Sequence, residues 1–216
     1  MSKNEGLQMA FWEMGILAFD RGMRTFFRVG QPWRPSPASG LKESFLKEEE
    51  KKRSARLLRV DHAGEVAAQA LYLGQSLFAR DPKLRDLLFS MGEDEQDHLF
   101  WCAKRLDELH AKTSMLDPFW FFGALAIGSG AAFLGDKASL SFLLETESQV
   151  VEHLRAQLDL ASSRDGKTRE ILSGMQADEW AHGERAWSLG GRTPPFWVRE
   201  AMRLASQVMI QAAARL

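Results

Sequence analysis

The chain has 216 residues, 45% of them hydrophobic and 26% charged. That is the composition of a folded domain near the upper end of single-domain size, and it excludes collagen-like, mucin-like and fully disordered chains. A formal net charge of -1 leaves no basic field to hold a nucleic acid, and the single cysteine, Cys102, excludes an intrachain disulfide.

Charges run throughout the first residues (Lys3, Glu5, Glu13, Asp20), so no secretory signal is read there. Residues 9–27 have helical apolar spacing. Residues 31–40 (QPWRPSPASG) read as a linker, because three prolines and two serines interrupt any regular element. Residues 1–54 are therefore expected to be an N-terminal extension and linker, and residues 55–216 the main domain. The charge run inside residues 43–53 reads as a solvated helix start. From Arg56 onward helical periodicity dominates. It predicts helices over roughly 55–80, 82–111, 136–162 and 166–189, with Asp81-Pro82 opening the second and Gly190-Gly191 closing the fourth. Short loops join the first to the second and the third to the fourth. The expectation is an all-α four-helix bundle of two antiparallel hairpins with one crossover. The last segment, 196–216, reads as an amphipathic helix carrying Arg199, Arg203 and Arg215.

Between the hairpins, residues 119–135 (FWFFGALAIGSGAAFLG) carry no charge. As a helix they would be about 25 Å long, the short edge of a membrane span. Their glycines and alanines suit close helix packing or a hairpin. A buried core helix, a membrane-embedded or quinone-facing surface, and a true span all remain open on the sequence.

The inward stripes of the four helices carry groups that a core rejects. The first gives Leu58, Glu65, Ala68 and Tyr72. The second gives Leu84, Leu88, Met91, Glu95, His98 and Cys102. The third gives Leu140, Leu144, Glu147, Val151, Leu154 and Leu158, and the fourth gives Leu172, Met175, Glu179, His182, Ala186 and Leu189. A lone buried carboxylate is penalised by several kcal/mol, so four carboxylates and two histidines at one level call for cations. Glu-x-x-His places both side chains on one helix face, one turn apart. This is the donor plan of ferritin-like di-iron and di-manganese bundles. Oxygen-rich donation with one imidazole per ion suits iron or manganese better than structural zinc.

The pattern is duplicated. Glu95 follows Glu65 by 30 residues and Glu179 follows Glu147 by 32, and both histidine motifs read Asp-Glu-x-x-His (94–98 and 178–182). Chance predicts about 0.4 Glu-x-x-His motifs in a chain of this composition, so one copy would be weak and two in register are not. Asp94 and Asp178 either orient the histidines or are solvated helix acids. His62 and His153 either bond a site carboxylate or sit satisfied in the core. Tyr72, the only tyrosine, either packs or bonds near the site. His110 reads as a surface residue and Cys102 as a small core residue.

Residues 59–72 (RVDHAGEVAAQALY) resemble the first-helix signature of the demethoxyubiquinone hydroxylase family of ubiquinone biosynthesis. Residues 93–98, 145–148 and 175–183 resemble its remaining motifs in the same order. Residues 20–24 (DRGMR) and 34–37 (RPSP) resemble the bacterial form. The resemblance implies a centre of two iron ions, with Glu65 and Glu147 as terminal ligands, Glu95 and Glu179 as bridges, and His98 and His182 completing the set; Glu145 falls off the family position. It implies a monooxygenase that uses O2 to hydroxylate a prenylated demethoxy-benzoquinol. It also implies a peripheral position on the cytoplasmic side of the cell membrane, contact with the lipid surface, and other ubiquinone-biosynthesis proteins as partners. The competing reading is a ferritin- or rubrerythrin-like ferroxidase that binds iron as its product. The charge-free segment does not suit a storage cage, and one cysteine does not suit a rubrerythrin's cysteine metal site. A catalytically silent lipid-carrying bundle is a third reading, which the full donor set disfavours.

Overall fold

The computed structural model describes residues 32–216 together with Ile16, Asp20 and Gly22. The expected helical segment 9–27 and the motif at 20–24 lie outside the described residues except at those three positions. The described residues are helical and contain no strand. The helices are α1 (Glu48–Phe78), α2 (Pro82–Glu108), α3 (Asp117–Phe133), α4 (Asp136–Leu160), α5 (Gly166–Ser188) and α6 (Phe196–Ala213). The antiparallel hairpins α1/α2 and α4/α5 form the bundle, and α3 lies in the crossover between them.

Local chemistry sets the boundaries. α1 starts at Glu48, earlier than the expected 55, because Glu48, Glu49 and Glu50 occupy its first turn, where negative charge favours the helix N-terminus. Glu50 Oε2 accepts from the Lys47 N–H at 2.9 Å. Pro82 opens α2 behind the Asp81 cap, whose carboxylate accepts from the Lys83 N–H at 2.9 Å. Asp165 caps α5 through the Thr168 N–H at 3.1 Å. α5 ends where Gly190 takes φ 106°, a left-handed conformation that glycine adopts without penalty. Leu189, placed on the inward stripe by spacing, sits at that end and is exposed.

The glycine-rich segment forms α3, which packs lengthwise on α1. A Cβ on Gly74 would lie 2.4 Å from the Leu125 carbonyl oxygen, and one on Gly128 would lie 2.3 Å from that of Leu71. Only missing side chains allow backbones this close. The other side of α3 turns outward with Phe119, Phe122, Ile127 and Phe133 exposed. No helix of the described residues is long and apolar enough to cross a membrane. α6 crosses beside the N-terminal end of α3, with Ile210 and Ala214 in the same cluster as Trp120, Val60 and Ala63.

Residues 32–47 are not a free linker. Ala38 and Leu46 are buried with Trp101, Leu106 and Ile171. Glu43 receives two bonds from the buried Arg105 guanidinium, at 2.7 and 3.0 Å, and Arg105 also donates to Asp165 at 2.9 Å. Burial works against the Glu43 carboxylate, but its hydrogen bond with Arg105 is the larger effect and holds its pKa down at about 2.

Candidate metal centre

The bundle brings the six expected side chains to one level. Glu65 comes from α1, Glu95 and His98 from α2, Glu147 from α4, and Glu179 and His182 from α5, and all six are buried. Two donor groups result. Glu65, Glu95, His98 and Glu179 each present an atom within 4.8 Å of the others, and so do Glu147, Glu179 and His182. Glu95 turns Oε2 to His98 Nδ1 (3.2 Å) and Oε1 to His182 Nδ1 (3.4 Å). Glu179 does the reverse, with Oε2 3.2 Å from His182 Nδ1 and Oε1 3.3 Å from His98 Nδ1. Each of these two carboxylates therefore faces both imidazoles, and Glu179 belongs to both groups. Of the two imidazoles, Glu65 pairs with His98, at 3.5 Å.

The histidines are oriented from behind, and crosswise. His98 Nε2 lies 2.9 Å from Asp178 Oδ2, and His182 Nε2 lies 3.1 Å from Asp94 Oδ2. The aspartate that precedes one Glu-x-x-His motif thus serves the histidine of the other. A proton on each Nε2 leaves the Nδ1 lone pair facing the cluster, the arrangement that metal-binding imidazoles require.

The electrostatics are those of a site built for positive charge. Burial raises the Glu65 and Glu147 carboxyl pKa values, reinforced by Glu95 and Glu179 respectively. Burial works against the imidazolium forms, but the hydrogen bonds they donate to carboxylates outweigh it. His98 is held well above its ordinary value and His182 is pushed up to about 12. Protons thus stand in for cations among these acids. Glu147 Oε2 is buried and has no hydrogen-bond partner among the described residues. An orphaned carboxylate oxygen beside one imidazole and a spanning carboxylate fits a hard cation.

The residues left open by sequence fall as follows. Tyr72 bonds at the site: its hydroxyl lies 2.6 Å from Glu147 Oε1 and 3.1 Å from Glu95 Oε1, with one proton to donate between them. His62 pairs with Asp117 at 3.2 Å, and His153 lies 2.7 Å from the Gln157 amide nitrogen and 3.7 Å from Asp61. His110 is exposed beyond α2, and Cys102 is buried against Met175 Sδ. Glu145, off the stripe, is nevertheless buried, because α6 covers it and Arg199 Nε donates to it at 3.2 Å. The Arg199 side chain stays 38% exposed while its Nε is engaged by Glu145.

Sequence reasoning missed Arg34 and Asp97, which tie the N-terminal segment to the histidine-bearing helices. Their only signal was the RPSP string, which periodicity cannot place. A cleft between α1, α4 and α6 reaches the cluster, lined by Glu65, Tyr72, Glu147 and Glu179 on one side and Met209 and Ile210 on the other.

Helical hairpins that converge four carboxylates and two imidazoles define a protein of the ferritin-like class. A dodecameric thioferritin, the bacterioferritin-related protein of Bacteroides fragilis, superposes with a TM-score of 0.53 over 73% of this chain and 90% of its own, at 14% identity. The family model described as ubiquinone biosynthesis protein COQ7 matches residues 52–213, and the chain belongs to that family. A 3-demethoxyubiquinol 3-hydroxylase of Ralstonia pickettii is 46% identical over 93% of this chain and 98% of its own length. Proteins of the same description from Nitrosococcus oceani (45% identity; 97% and 98% covered) and an Azoarcus species (42%; 95% and 100%) are similar over equal spans.

Proposed function

We propose that this chain is a di-iron monooxygenase that hydroxylates the ring of a prenylated 3-demethoxyubiquinol in ubiquinone biosynthesis. The observation that carries the reading is the pair of donor groups that share Glu179, with Glu95 facing both imidazoles, in a chain of the COQ7 family whose relatives are named 3-demethoxyubiquinol 3-hydroxylase.

Glu65 with His98 would hold one ion and Glu147 with His182 the other, Glu95 and Glu179 bridging. Bound there, the pair would supply the reductive activation of dioxygen. One oxygen atom would enter the ring and the other would leave as water, which takes two electrons from an external donor and two protons. The chain's own residues set the stage. Tyr72 holds Glu147 by its hydroxyl, and Asp94 and Asp178 hold the imidazoles. The helices bury the cluster away from bulk water. The cleft beneath α6 is the route by which the quinol ring would approach.

The substrate carries a prenyl tail and resides in lipid. The outward apolar faces of α3 and α6 (Phe119, Phe122, Phe133; Phe196, Trp197, Leu204, Val208) suit a peripheral seat on the cytoplasmic face of the cell membrane, with tail contact there. Residues 55–216 would form the catalytic unit, and other ubiquinone-biosynthesis proteins would be its partners.

Quinone profiling of a strain lacking this protein is the test. Accumulation of the demethoxy intermediate, rescued by wild type and not by Glu147→Ala, is expected. Unchanged ubiquinone in the deletion strain would contradict the reading and favour a ferroxidase.

A further inference from the structure

We propose that Arg34 is a positioning residue of the metal centre. By bridging Asp94 and Asp178 it fixes both histidines at once, with each Nδ1 turned to the cavity. The inference rests on the di-iron reading above and adds to it a part played by the segment before the helical bundle.

The geometry is specific. Arg34 Nη2 lies 2.9 Å from Asp178 Oδ2 and 3.2 Å from Asp94 Oδ1, and Nη1 donates to Asp178 Oδ1 at 3.2 Å. The two aspartates come from different helices, α2 and α5, and each holds the histidine of the other. One planar cation therefore closes a ring of contacts: Asp94 to His182 on α5, and Asp178 to His98 on α2. A guanidinium has the fork that this requires, and a lysine ammonium does not.

Arg34 is itself held. Its Nε donates to the buried Asp97 at 2.8 Å, and Asp97 also accepts the Trp33 and Arg34 backbone N–H groups, at 2.6 and 3.2 Å. The guanidinium carbon sits 5.2 Å from the centre of the Trp101 ring, and that ring packs 5.2 Å from His98. Among the described residues, Arg34, Asp94, Asp97, Asp178 and Trp101 do not line the cleft, so the route from Arg34 to the site runs through the histidines.

Loss of a partner behind a metal-bound imidazole typically costs 10–100-fold in metal affinity. Arg34 stands behind two such partners, so its removal should weaken both ions together. Asp178→Asn should weaken mainly the ion at His98. The experiment titrates the full-length metal-free chain anaerobically with Co(II), following the visible absorption bands. Wild type, Arg34→Gln, Asp178→Asn and Glu43→Gln are compared. Glu43→Gln loosens the same N-terminal segment at Arg105 without contacting the site, and controls for a merely structural loss.

The expected result is two Co(II) per wild-type chain and an unchanged titration in Glu43→Gln. In Arg34→Gln both affinities should fall by about 10–100-fold with altered bands, and methylguanidine should partly restore them. Wild-type affinity and spectrum in Arg34→Gln, with only a lowered Tm, would overturn the role of Arg34 and leave the di-iron reading standing. A wild-type chain that binds no Co(II) would overturn both.

Discussion

Tyr72 shows how one side chain links packing to chemistry at this site. Its ring is core, yet its hydroxyl is 2.6 Å from Glu147, whose second oxygen has no partner among the described residues. Tyr72→Phe should destabilise the metal-free chain by about 1–3 kcal/mol, because a buried acceptor loses its donor. The loss should shrink once metal is loaded, since an ion takes over Glu147. Thermal melts with and without Co(II) check this, and an equal loss in both states would contradict it. The protons on the cluster give a second prediction. Without a metal ion, Glu65, Glu147, His98 and His182 all bind protons more tightly than usual. Metal binding must displace those protons, so apparent affinity should rise with pH, about tenfold per pH unit for each proton released. Titrations at pH 6 and pH 8 measure the slope, and a flat or falling affinity would contradict the assignment. The six clustered residues were legible in the sequence because charge on an apolar stripe is conspicuous. The crossed pairing of Asp94 with His182 and Asp178 with His98 was not, since it depends on which helices are neighbours. Arg34 lies in a segment without periodicity, and Glu145 is buried only because a distant helix covers it.

Among the elements, α3 and α6 carry the unusual surface. α3 is apolar on both sides: Gly74 and Gly128 let it press onto α1, which satisfies one side, and the other faces outward. The sequence left its packing open, because glycine and alanine suit a close helix pair and a lipid surface equally, and the helix meets one demand on each side. α6 keeps Arg199 for Glu145 and turns Trp197, Leu204 and Val208 out, so membrane contact would rest on apolar side chains more than on arginines. Phe119, Phe122 and Phe133 are exposed, and replacing all three by serine should leave the fold intact while abolishing co-flotation with liposomes. Flotation equal to wild type would remove α3 from the membrane face.

At the scale of the whole molecule, two similar hairpins each supply a carboxylate followed by a Glu-x-x-His helix, and the N-terminal strap joins them behind the histidines. The duplication visible in the spacing becomes an approximate twofold arrangement of donors, with Glu95 and Glu179 each shared between the halves. Six titratable groups are buried at the middle of the bundle, a costly design that bound cations would offset.

The most direct measurement is the Mössbauer spectrum of the chain reconstituted anaerobically with iron-57 and then exposed to air, read together with its iron content. Two irons per chain, magnetically coupled as one pair, are expected. Iron near one per chain, or two isolated ions with no coupling, would contradict the shared centre from which the function follows.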